Sequence, residues 1–395
     1  MKKLGLIPKI VIAIILGFIF GRHLPVSFCR VFVTFSSIFG NFLNFAIPLI
    51  IIGFIVAGIA DLGSGAGKLL GITVLIAYIF TLISGAYAVL AGKLFLPHII
   101  NSSELGAMQN AKPDLKPFFT MEMTPIMDVT AALILAFIMG LGIAKVQNKT
   151  LKDAFIGFQQ IVTATIEKVV IPLLPIHICG IFTNMSYTGK ASTVFHVFWK
   201  VFIIILCLHY SMLLFQFMFG CSCSKKNLLF SLKSQVKGYL TALGTQSSAA
   251  TIPVNLQCAE QIGTTKGIRD FVIPLCATCH LSGSTITITT CALSVAMLNG
   301  MHITMGTIVG FVAMLGVTMV AAPGVPGGAV MASLGLLKAN LHFSPAMTGL
   351  MIALYIAQDS FGTACNVSGD QAVAMVVDSF QKKFSKKHSV DTASN

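Results

Sequence analysis

Apolar residues run along this chain in long unbroken stretches, separated by short basic or Gly/Pro-rich connections. Most stretches are long enough to cross a bilayer as a helix. The pattern predicts spans over residues 6–21, 31–60, 69–95, 131–144, 154–185 and 194–219. The second and third are longer than a ~30 Å hydrocarbon layer needs and are expected to tilt. Pro97, Asn101, Pro113 and Pro125 mark a polar connection between the third and fourth. In 154–185 the first half is amphipathic (Phe155, Phe158, Ile161, Ile166), and the second half carries Pro172 and Pro175.

Beyond Lys225 and Lys226 the pattern changes. Residues 228–261 are only moderately apolar and are interrupted at 245–253. Residues 271–298 read as one span with a Ser/Thr-rich centre around Gly283, and 303–337 as an apolar stretch broken at 321–328. Each interrupted segment precedes a span with a polar centre, a repeat whose second copy is inverted relative to the first. Non-helical backbone is tolerated at membrane depth where it lines a cavity, and paired broken segments point to a transporter site.

The last span, 344–377, carries Asp359 and Asp370 far from its ends. A carboxylate at such depth costs ~2.5–3.5 kcal/mol on insertion scales and points to function. At about 100° per residue, Thr363, Asn366 and Asp370 fall within about 40° of Asp359, so the four share a face. The two acids would lie ~16 Å apart along the axis.

Composition fixes the class. The chain is 55% hydrophobic and 10% charged, with a mean hydropathy of +0.88, which excludes a soluble globular protein. Long continuous runs exclude an outer-membrane barrel. The net charge of +13 lies in clusters between spans, which reads as topology and not as a nucleic-acid surface. Lys2, Lys3, Lys68, Lys145, Lys149, Lys152, Lys225, Lys226, Lys266, Arg269 and the tail lysines fall on one side if both termini are cytoplasmic. The first hairpin then re-enters from inside and the second from outside. The first apolar run lacks a cleavage site and is read as a retained helix. Ten scattered cysteines, including Cys276 and Cys279, lack a second pair at zinc spacing and read as packing residues.

Three motifs occur together and in order: Ser247-Ser248-Ala249-Ala250-Thr251-Ile252-Pro253-Val254, the tip Gly324-Val325-Pro326-Gly327-Gly328, and Asp359 with Thr363, Asn366 and Asp370. In these the chain resembles the dicarboxylate/amino acid:cation symporter (glutamate transporter) family, and it looks most like the bacterial serine/threonine branch. The resemblance implies an all-α polytopic membrane protein of about eight transmembrane helices plus two re-entrant helical hairpins, arranged as inverted repeats in an elevator-type transporter. It implies a homotrimer in the bacterial cytoplasmic (inner) membrane. Residues 1–60 and 98–192 would form the scaffold. Residues 61–97 and 193–380 would form the moving transport domain, with 381–395 a cytoplasmic basic tail.

Carried onto this sequence, the family pattern implies that Ser247 and Ser248 grip the substrate carboxylate and that Asp359 binds the amino group. Asn366 would bond the α-carboxylate with Thr363 beside it. Ser284 stands where the family usually has Thr, and Gly324 and Val325 belong to the gating tip. Members that take acidic substrates carry an arginine at the position of Gly362, or just before the serine tip, where this chain has Gln246. The only arginines are Arg22, Arg30 and Arg269. A side-chain carboxylate would be desolvated without a cation, so the expected substrate is a small neutral amino acid such as serine, threonine or alanine. The rival within the family is a sodium- or proton-coupled carrier of acidic amino acids or dicarboxylates.

For the coupling ion, the resemblance implies one sodium site at Asp370 with carbonyls of Cys276, His280 and Asn366. A second would use Thr278 and the carbonyls around Met319, Val320 and Ala322. The third family site has lost its Asn and Asp to His280 and Ser282, leaving Thr81 and Ser84 as remnants. His280 has two readings: a neutral residue bonded to Ser or Thr neighbours, or a proton carrier replacing a lost sodium. From another class, an intramembrane hydrolase built on Ser247 or Ser248, His280 and Asp359 lacks a nucleophile-elbow motif. A passive channel would differ from the symporter in failing to accumulate substrate.

Overall fold

The computed structural model describes residues 6–62, 67–109, 111–322, 324 and 326–393. Lys2, Lys3 and Val325, singled out above, lie outside the described residues. All regular structure is helical: α1 (Leu6–His23), α2 (Val26–Leu62), α3 (Gly67–Ile99), α4 (Ser102–Gln109), α5 (Val129–Val146), α6 (Lys149–Thr165), α7 (Ile171–Thr188), α8 (Lys190–Ser224), α9 (Leu228–Thr245), α10 (Ser248–Ile262), α11 (Lys266–Cys279), α12 (Ser282–Leu298), α13 (Met305–Val320), α14 (Gly328–Leu341) and α15 (Pro345–Ala393).

Among the described residues, five segments are long and apolar enough to cross a membrane: Val26–Ala60, Leu69–Ile99, Lys149–Thr188, Lys190–Ser224 and Lys266–Leu298. Large apolar side chains stand exposed on α1, α3, α5 and α8, Ile15, Leu90, Ile138 and Trp199 among them, as a lipid-facing surface requires. The protein is an integral membrane protein.

The helices pack in two sets. In the first, α1 and α2 border α7, and α5 and α6 lie along α2; in the second, α8 to α12 surround α15, with α3 against α12 and α13. The sets touch where α14 meets α2 and α5 and where α7 meets α8 and α15.

Short polar residues start the helices where the sequence supplies them. Asp128 accepts from Ala131 N, Asn148 from Leu151 N, Asn227 from Phe230 N and Thr304 from Thr307 N. The first interrupted segment is a tight reversal. Gln246 takes the left-handed conformation (φ 55°) to end α9, and Ser247 caps α10 through Ala250 N. The predicted break at 245–253 is therefore narrower than the sequence suggests, because Ser248 to Pro253 are already helical.

Three elements differ from expectation. The span at 271–298 is two helices, α11 and α12, parted by the non-helical pair His280-Leu281. The 154–185 segment passes through a π-helical turn at Ile166–Val170, immediately before Pro172, whose missing N–H leaves a carbonyl of the preceding turn without its helical partner. α15, although it holds both buried acids, falls short of the apolarity of a lipid-spanning helix. Its polar residues are buried against neighbouring helices instead of facing lipid.

The polar connection after α4 is a strap docked on the first set. Arg30 donates from Nε to Lys116 O at 2.9 Å and stacks over the Phe118 ring at 4.1 Å, Asn41 donates to Met121 O, and Leu115 N donates to Asn184.

Glycine lets α1 and α7 approach closely. A Cβ at Gly17 would sit 2.6 Å from the Cys179 carbonyl oxygen, and one at Gly21 would strike the Thr183 carbonyl. Gly17→Val is therefore expected to cost about 1–3 kcal/mol by overpacking and to lower the thermal midpoint of the detergent-purified protein. An unchanged midpoint would rule out this close crossing.

Candidate functional site

The turn between α9 and α10, here the first tip, meets the segment between α13 and α14, the second tip, beside the middle of α15. Ser247, half-buried at the first tip, donates from Oγ to the Gly324 carbonyl of the second tip at 2.9 Å. Gly324 also lies close to the end of α11, where an added Cβ would come within 3.1 Å of the Ala277 carbonyl. Ser248 is buried in the first turn of α10.

Asp359 lies under the second tip and is 3% exposed. Its Oδ2 accepts the Gly327 N–H at 2.6 Å, and its Oδ1 accepts from Thr363 Oγ1 at 3.3 Å. Gly327 has φ 73°, a left-handed conformation in which glycine is favoured and which ends the tip with an outward amide at the start of α14. Both donors are neutral. Arg30 is committed to the strap, and Arg269 pairs with Glu260 at 2.6 Å and Asp270 at 3.6 Å.

Asn366 does more than expected from its family role. Its Oδ1 accepts from Gly283 N at 2.8 Å and Ser284 N at 3.2 Å, so it caps the start of α12. Its Nδ2 donates to Ser284 Oγ at 2.9 Å, which also accepts from Tyr355 OH at 2.8 Å. Gly362 and Gly283 face each other at this point, since a Cβ on Gly283 would lie 2.5 Å from the Gly362 carbonyl. Ser284, Gly362, Thr363, Asn366 and Asp359 are thus brought together.

At the second acid, Asp370 Oδ1 lies 3.0 Å from His280 Nδ1, with both side chains essentially buried. His280 Nε2 lies 3.3 Å from Gln216 Nε2. Among the described residues no Ser or Thr bonds this imidazole, whose polar ring contacts are Asp370 and Gln216. The Cys276 carbonyl accepts the His280 backbone N–H at 2.9 Å. A sodium ion bound by Asp370 Oδ1 would share that oxygen with an imidazole nitrogen. Thr81 and Ser84 bond carbonyls of their own helix, Ala77 and Phe80, and Ser282 Oγ has no partner among the described residues.

Thr278 is exposed and bonds Leu275 O, while Met319 and Ala322 are buried near the second tip. The Met319 carbonyl accepts weakly from Ala322 N at 3.4 Å and is approached by the Ala321 N–H as well. No hydrogen bond joins Thr278 to Met319, Val320 or Ala322 among the described residues.

Sequence reasoning missed four groups here. Tyr355 lies one turn before Asp359 and could have been found by i,i+4 spacing. The Gly327 amide, Gln216 and His209 reach the site only through tertiary packing. The hydrolase arrangement does not form: Ser247 bonds Gly324, His280 bonds Asp370, and Asp359 bonds Gly327. No cluster of three or more His, Cys, Asp or Glu residues suited to a metal ion occurs among the described residues, and the cysteines are free.

The sequence profile of the Sodium:dicarboxylate symporter family matches residues 6–380. Curated relatives include a protein named "Serine/threonine transporter SstT" from Acinetobacter baumannii (strain AYE), 25% identical over 394 residues, covering 95% of this chain and 97% of the relative. A protein of the same name from Bifidobacterium adolescentis is 27% identical over 389 residues, covering 92% of this chain and 87% of that one. A Caenorhabditis elegans "Excitatory amino acid transporter" is 29% identical over 160 residues, 40% of this chain and 32% of its own length. The chain is a transporter and not an enzyme, and it belongs to the Sodium:dicarboxylate symporter family, whose members are cation-coupled membrane symporters.

Proposed function

We propose that this protein takes up small neutral amino acids of the serine, threonine and alanine type, driven by sodium. The observation that carries the reading is the setting of Asp359: a buried carboxylate whose donors among the described residues are neutral groups, the Gly327 amide and the Thr363 hydroxyl among them, while Arg30 and Arg269 are held elsewhere. An ammonium group on the cargo is the countercharge such an anion favours, and a second carboxylate on the cargo would go unpaired. The names of the bacterial relatives agree with this substrate class.

Ser247, Ser248 and the first-tip backbone would take the α-carboxylate, with Asn366 and Ser284 beside them, while Gly324 and its neighbours open and close. The second helix set would move against the first, α1, α2, α5, α6 and α7 serving as the scaffold of a homotrimer. Lysine distribution supports cytoplasmic termini, as expected in a bacterial inner membrane. Sodium would bind at the second-tip carbonyls. At Asp370 the imidazole of His280, 3.0 Å from Oδ1, occupies an oxygen that a sodium ion would otherwise use.

In proteoliposomes, serine, threonine and alanine are expected to exchange with internal serine, while glutamate, aspartate and succinate are not; exchange of glutamate would defeat the proposal. Asp359→Ala is expected to weaken serine binding by more than 100-fold, in line with about 3–5 kcal/mol for breaking a buried ion pair. Unchanged serine accumulation in that variant would refute the role of Asp359. His280→Asn is expected to flatten the pH dependence of uptake at fixed sodium, and a fully retained pH profile would exclude the proton role.

A further inference from the structure

Behind Gly362 lies a buried histidine that none of these roles uses. His209 on α8 is 2% exposed, and its Nε2 lies 3.0 Å from the Gly283 carbonyl and 3.1 Å from Thr287 Oγ1. A carbonyl oxygen only accepts, so the ring proton sits on Nε2. Nδ1 has no partner among the described residues, which fits the neutral ring, since an imidazolium would leave a buried N–H unpaired. Thr287 Oγ1 lies 3.2 Å from the same Gly283 carbonyl, to which it donates. With its proton directed there and one lone pair facing Nε2–H, the hydroxyl keeps one acceptor position unused.

That hydroxyl faces the position a side chain at 362 would take. Of the atoms a Cβ at position 362 would meet, Thr287 Oγ1 is the nearest at 3.6 Å, followed by Gly283 C and Ser284 N at 3.7 Å. Gly362 follows Asp359 by one turn of α15, so a substrate whose ammonium sits on Asp359 has its side chain within reach of this wall.

We propose that Thr287 reads the cargo side chain, accepting a hydrogen bond from a hydroxyl, and that His209 is the positioning residue that orients the Thr287 acceptor. The substrate class is the hydroxy amino acids, serine and threonine, in preference to alanine. A side-chain carboxylate would bring lone pairs against a lone pair and is turned away. The inference rests on the neutral amino-acid reading above and specifies its side-chain contact.

The test is competition between serine and alanine for uptake by the full-length protein in proteoliposomes. The native protein is expected to favour serine about tenfold, the size of one net neutral hydrogen bond. Thr287→Val is expected to bring that ratio to near one, and Thr287→Ser to keep it. His209→Gln, which retains an N–H donor, should hold the ratio, whereas His209→Leu should lose it. Simple loss of packing would not produce that split.

Equal handling of serine and alanine by the native protein, an unchanged ratio in Thr287→Val, or equal ratios in the two His209 variants would each overturn the inference. If Thr287→Val does not fold, the His209 pair decides. Uptake of glutamate with no uptake of neutral amino acids would overturn the substrate reading as well. Serine and alanine uptake indifferent to Thr287 overturns this inference alone.

Discussion

A carboxylate withdrawn from water must find donors or a cation, and in this protein two such groups lie on one face of α15. Asp370 is next to an imidazole supplied by the break between α11 and α12. Asp359 has neutral donors among the described residues, the Gly327 amide and the Thr363 hydroxyl among them. That asymmetry organises the rest. The second tip must reach α15 for its amide to meet Asp359, and the first tip must reach the second for Ser247 to meet Gly324. Both reversals need backbone that cannot be helical, which explains the left-handed residues at Gln246 and Gly327.

The polar face of α15 was legible because it is a local property: Asp359, Thr363, Asn366 and Asp370 repeat at helical spacing, and the structure keeps them on one continuous helix. The interruptions after α9 and α13 were legible for a similar reason, since Gly, Pro and Ser cluster where the helices stop. The division of 271–298 was hidden. No cap precedes Ser282 in the sequence, because the cap is Asn366, which lies 83 residues from Gly283 along the chain. The partner of His280 was hidden too, since Asp370 is 90 residues away. His209 gave no signal at all. On α8 it stands beside Tyr210 and Ser211 within a largely apolar run, and only packing shows that it faces Gly283.

The residues that the family likeness singles out are partly engaged with one another in the structure. The likeness gives Asn366 to the substrate, whereas here its carboxamide closes the end of α12 and holds Ser284, which in turn receives Tyr355. Gly283 allows this closeness, since a side chain there would collide with Gly362, Cys365 and Asn366. Glycine at 283 and the amide at 366 are thus two halves of one contact between α12 and α15.

The borrowed cap also bears on the order in which the molecule can be assembled. Helices emerge from the ribosome in sequence, and α12 is made long before residue 366. Until then the amides of Gly283 and Ser284 have no side-chain acceptor from α15, in a segment destined for a medium that offers no water. The break at His280-Leu281 therefore takes its final form only when the last helix arrives, so the centre of the protein is completed last.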